Sequence, residues 1–170
     1  MMEKDYLLRM FGQMARAISR LIFLKDQKDY ALALEFSDQL YHEILGAGSG
    51  FVNSISDEML LNMLTSAHTL DVDKTLMIAR ILSTEGDIYQ ELGNSTESYY
   101  RNLKALNLYL AVAEFEQNSQ LNVITDLQHP IEDLNTKLAE FELPATTTNR
   151  LQRFLTLPSQ STQPQTDIEE

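Results

Sequence analysis

Apolar residues return every three or four positions in successive segments of this chain, the spacing of helices that each turn one face to a core. The clearest case runs from Ile78 to Ala113. Ile78, Leu82, Gly86, Tyr89 and Leu92 make one stripe, and Tyr99, Leu103, Leu106, Leu110 and Ala113 continue at the same period. Between them, Gly93-Asn94 stops the first helix, because glycine accepts the left-handed conformation found just beyond a helical end, and Ser95 or Thr96 is expected to cap the next. The spacing predicts an antiparallel helical hairpin.

The same period predicts further helices on either side. Residues 3 to 25 form a first helix whose Leu7, Leu8, Met10, Phe11, Met14, Ala15, Ile18, Leu21 and Ile22 cover more than a narrow stripe, so that it touches neighbours on two sides. Arg9, Gln13, Arg16 and Arg20 share what remains. Asp29 caps a second helix that sets Ala33, Phe36, Leu40 and Ile44 against the first and ends at Gly46. The glycines of Gly46-Ala47-Gly48-Ser49-Gly50 follow a helix rather than a strand and precede no Lys-Ser or Lys-Thr pair, so the segment reads as a linker and not as a phosphate cradle. Ser56-Asp57-Glu58 opens a short third helix using Met59, Leu60, Met63 and Leu64 and running out near His68. Asp71 or Asp73 starts the helix of the Ile78 stripe, and its partner runs from about Thr96 to Glu116. A second apolar edge on that partner, Leu108, Tyr109, Val112 and Phe115, predicts packing on two sides.

Beyond Asn118-Ser119, helical phase continues from Ile124 through Phe141 across Pro130. Proline either begins a helix or kinks one, and a start at Pro130 after a short preceding helix is favoured. Thr146-Thr147-Thr148 caps a last short helix carrying Leu151, Phe154 and Leu155. From Pro158 onward, serine, glutamine, threonine, proline and acid dominate, which predicts a disordered polar tail over 158–170 behind one helical domain over 1–157.

At 170 residues the chain can bury one core without staples, and with no cysteine it has neither disulfides nor thiolate metal sites. The mixed charges of its first residues do not read as an export signal, and no apolar run approaches a bilayer span, so a cytoplasmic protein without membrane attachment is expected. The net charge of -12 makes the surface acidic and argues against nucleic acid or anionic lipid as partners. That charge is uneven: residues 1–28 hold six cations and three acids, a net +3, and the rest of the chain carries -15. A basic first helix lying beside acidic neighbours explains the asymmetry, with a ridge for an acidic partner as the sharper alternative.

Candidate chemistry is sparse. His42, His68 and His129 sit in no ligand spacing, and Asp38 with His42 reads as a surface pair on one helix turn. No nucleophile elbow, metalloprotease helix or paired-carboxylate motif is present, so no catalytic residue, metal ligand or cofactor is assigned. Seven methionines read as core filler. Tyr99, Tyr100 and Tyr109 are better candidates for a groove, because a phenol can keep one end wet.

Leu82-x-x-Glu85-Gly86-x-x-Tyr89, followed by Gly93, Ser98 and Ala105, resembles one degenerate tetratricopeptide repeat. Leu82 stands for the aromatic of that pattern, Glu85 for its leucine, Ser98 for its first alanine, Asn102 for the second-helix aromatic and Leu110 for the closing proline. The opening Glu3-Lys4-Asp5-Tyr6-x-x-Arg9-Met10-x-x-Gln13 and the turn Lys28-Asp29-Tyr30-x-x-Ala33 resemble a family of Gram-positive bacterial helical proteins that has no assigned activity. These resemblances imply an all-α fold of five to seven helices, arranged as antiparallel hairpins in a right-handed array like that of tetratricopeptide repeats. The leading expectation is a non-catalytic module that binds a peptide or partner helix in a groove beside Tyr99, Tyr100, Asn102 and Leu106. Two alternatives stand beside this expectation. One is a homodimeric scaffold joined through the first helix, with Arg9, Arg16 and Arg20 at the interface rim; the other is a small-molecule or metal-dependent enzyme using residues such as His68, Asp71 and Asp73.

Overall fold

The computed structural model describes residues 2–119 and 126–156. The polar tail and the short helix expected before Pro130 fall outside this range. Within it the chain is all-α apart from one small hairpin, with eight helices where five to seven are expected.

Helix α1 (Met2–Asp26) turns into α2 (Tyr30–Leu45), whose first turn is capped by Asp29 and whose end is set by Gly46 at φ 72°. The glycine-rich linker is in fact half helix. α3 (Ser49–Ser54) forms because Asp38 on α2 accepts hydrogen bonds from both the Ser49 amide and hydroxyl at 2.7 and 2.8 Å. A side chain at Gly48 would collide with Asp38 and His42, so glycine is required there by close approach. α4 (Asp57–Met63) starts at the Ser56 cap as expected but stops well short of His68. Leu60 and Leu64 are buried while Met59 and Met63 face solvent, so these two methionines are not core filler. Strands β1 (Thr65–Ser66) and β2 (Thr69–Leu70) pair antiparallel around a turn in which Ala67 and His68 take φ of 48° and 63°. Histidine takes that conformation more readily than most side chains but alanine does not, and the sequence pattern carries no sign of the hairpin.

α5 (Val72–Glu91), capped by Asp71, and α6 (Ser95–Ser119) make the hairpin of the Ile78 and Leu106 stripes. The cap of α6 is Asn94, whose side chain accepts from the Glu97 amide, rather than Ser95 or Thr96. Gly86 lets the two helices close up: a Cβ there would run into the Asn102 amide. α7 (Gln128–Lys137) begins two residues before Pro130, which sits in its first turn where no backbone donor is needed, so the proline starts a helix and does not kink one. α8 (Ala145–Thr156) docks through Leu151 and Phe154, while Leu155 stays exposed.

The core is built around α6. Ala105, Leu106, Leu108, Leu110 and Val112 are all essentially inaccessible, so this helix is surrounded rather than amphipathic. It touches α4, α5, α7 and α8, while α1 lies against α2 and α5. Its polar side is tied down as well. Asp57 at the start of α4 accepts from Lys104 Nζ at 2.8 Å and Asn107 Nδ2 at 2.6 Å, and Thr147 of α8 donates to Asn107 Oδ1 at 2.9 Å. Arg150 of α8 grips Glu114 through two hydrogen bonds of 2.8 and 3.0 Å.

Candidate functional site

The groove expected beside Tyr99 is closed. The Tyr99 ring packs against Phe141 with centroids 4.8 Å apart, and its hydroxyl donates to the Glu142 carbonyl. Tyr100 is exposed, but Asn102 and Leu106 lie at 4% and 0% exposure inside the α5/α6 contact and cannot meet a partner. α6 has α4, α5, α7 and α8 against it, more than the two packed sides expected, and its burial takes in Asn102 and Leu106. On α1, Arg9, Arg16 and Arg20 do share an exposed face, and the Arg20 guanidinium lies 4.9 Å above the Phe36 ring. The alternative catalytic grouping does not assemble: Asp71 is occupied as the cap of α5 and His68 stands exposed in the hairpin turn. Among the described residues no three His, Asp or Glu side chains converge as a metal site would require. Ser49 Oγ donates to Asp38, not to His42, so these three residues make no nucleophile and base pair.

Two other features stand out. The first is a buried polar knot where α2, α5 and α6 meet. Glu85, 2% exposed, accepts from the hydroxyls of Ser37 and Tyr41 and from Arg101 Nε at 3.0 Å. Arg101 also reaches Glu97 at 2.9 Å and stacks over the Tyr89 ring. Every polar atom of the carboxylate thus has a donor, which is the condition for keeping a charge inside a core. Burial pushes the Glu85 carboxyl up, against the opposing pull of Ser37, Arg101 and Tyr41, and the Tyr41 phenol is driven well up by burial and by Glu85 itself.

The sign of the resulting pH dependence follows. An acid whose folded pKa exceeds its unfolded value holds its proton more tightly when folded, so its contribution to stability is complete below the ordinary value of 4.5 and is lost as pH rises through the folded value. As pH rises above 4.5, the stability of the native chain is therefore expected to fall relative to that of Glu85→Gln. Urea unfolding at several pH values measures the difference, and parallel curves would contradict it.

The second feature is an open cleft of about 860 Å³ between α1 and α7, floored by α5 and by Tyr109 of α6. Ile18 and Ile22 of α1, Leu76 and Met77 of α5, and Leu134 of α7 give it an apolar lining. One end is crossed by charges. Asp87 of α5 receives Lys25 of α1 at 3.6 Å and Lys137 of α7 at 2.8 Å, and Lys137 continues to Asp133 at 2.7 Å. Burial works against the Lys137 charge, but its hydrogen bonds to Asp133 and Asp87 prevail and hold its pKa above the usual lysine value. At the other end stand Asp73, Asp126 and His129. Burial and the neighbouring Asp71 push the Asp73 carboxyl up. Arg80 lies between the two ends, and burial lifts the Tyr109 phenol to about 12.

Of the cleft residues only Tyr109 is singled out by sequence as a groove candidate. The others could have been found on the second face of α5, where Asp73, Met77, Arg80 and Asp87 recur at helical spacing with charge and apolar character mixed. Such a mixture reads as a solvated face until a neighbouring wall turns it into a floor. No family model matches the chain, and no curated protein or solved structure matches it. Among the described residues no helix is long and apolar enough to cross a membrane.

Proposed function

We propose that this chain is a non-catalytic interaction module that takes a peptide or partner helix, and that the binding surface is the cleft of α1, α5 and α7. The observation that carries this reading is the cleft itself: a trough of about 860 Å³ with an apolar lining and charged ends. Lined by three helices, it suits an occupant that buries apolar side chains at helical spacing and sets its register by polar contacts.

The resemblance to a tetratricopeptide repeat adds support. α1 and α5 are the first helices of the hairpins α1/α2 and α5/α6, and α7 follows α6 in the same way. In an array of that kind the first helices of successive hairpins share a common groove, and here they share the cleft. The array is irregular, since α3, α4 and the β-hairpin separate the first two hairpins and both α7 and α8 lean on α6.

Panning a display library of amphipathic helical peptides against the full chain, followed by hydrogen exchange on the complex, tests this reading. Binders are expected to protect residues 15–25, 73–87 and 126–137. Binders that protect only other surfaces, or a library that yields none, would reject the cleft as the site.

A further inference from the structure

The charges that line the cleft are not all satisfied by one another. Lys25 and Lys137 are held by Asp87, and Lys137 also holds Asp133. Among the described residues, the Arg80 guanidinium and the Tyr109 hydroxyl form no hydrogen bond or ion pair. The two are close enough for the Arg80 charge to act on the phenol, whose pKa burial still raises to about 12. Two donors without a partner among the described residues thus face one space, one of them a permanent cation. A guanidinium is matched best by a planar carboxylate, and a phenol adds a third donor to the same oxygens.

We propose that the partner is an amphipathic helix that seats one carboxylate side chain on Arg80 and Tyr109, an inference that rests on the cleft being a peptide site. Apolar side chains on either side of that acid fill the surface of Ile18, Ile22 and Met77. The rest of the lining limits how acidic the partner is. Four aspartates stand in the cleft against Lys25, Arg80 and Lys137, so a polyanion is repelled where a single carboxylate is accepted. Asp73 forms no ion pair among the described residues and precedes Arg80 by seven positions on α5, two helical turns or about 10 Å. The partner therefore carries a base about two turns from its acid, and the pair of signs fixes its direction in the cleft.

The test uses the peptides selected above. Sequences recovered on the native chain are expected to share one Glu or Asp between apolar positions, with Lys or Arg about seven residues away. For one such peptide labelled with fluorescein, anisotropy should show about a tenfold loss of affinity on Glu→Gln in the peptide and a similar loss on Arg80→Gln in the protein. The two changes together should cost little more than either one, because they remove the same contact. Tyr109→Phe should give a smaller loss. Arg80 is exposed and outside the core, so circular dichroism of Arg80→Gln should be unchanged. Peptides that protect the cleft but share no acid, or bind Arg80→Gln as well as the native chain, would overturn the carboxylate proposal and leave the cleft as a site. A library that yields no binder would overturn both.

Discussion

Arg101→Met lowers the unfolding free energy by about 3–5 kcal/mol, the usual cost of leaving one member of a buried ion pair without the other. Among the described residues its guanidinium is the only cation that Glu85 contacts, and Glu85 is 2% exposed. Without it the carboxylate keeps only the hydroxyls of Ser37 and Tyr41, which are neutral donors. The chain must then either hold an uncompensated charge between α2, α5 and α6 or protonate it. Adding Glu85→Gln to Arg101→Met removes the charge and should restore most of the loss, a coupling measured by urea denaturation of the four members of the cycle. A double variant no more stable than Arg101→Met alone would show that the guanidinium acts through its stacking on Tyr89 rather than through the carboxylate.

Leu106→Ala should cost about 2–5 kcal/mol, because the side chain is wholly inaccessible in a helix that has neighbours all round and little room to collapse. The same substitution separates core from groove. Cleft peptides should bind the folded variant with unchanged affinity, whereas a partner held beside Leu106 would be lost in proportion to the missing contacts. Thermal unfolding and anisotropy on one preparation read both quantities.

Much of the fold was legible in the sequence because its determinants are local. Helix spacing, the caps at Asp29, Ser56 and Asp71, and the stops at Gly46 and Gly93 each depend on a few adjacent residues, and the structure has all of them. What escaped depends on contacts distant along the chain. α3 exists through Asp38, eleven residues before the Ser49 it caps, and the β-hairpin turns on Ala67 and His68 at positive φ, of which the alanine gives no sign. The site was the least legible part. Tyr99 is a groove candidate by sequence but Phe141 covers it, and Arg80 gains its place only from α1 and α7 on either side of it. A stripe on one helix states that a face is buried; which neighbour buries it is decided elsewhere in the chain.

The enclosure of α6 has a consequence for how the molecule comes apart. In a solenoid each repeat rests only on its neighbours, so the ends can fray while the middle persists and units can be added or removed one at a time. Here α4, α5, α7 and α8 all rest on a single rod, and removing it would strip each of them of the surface it covers. Loss of the central helix is therefore expected to uncover α4, α5, α7 and α8 together rather than one at a time.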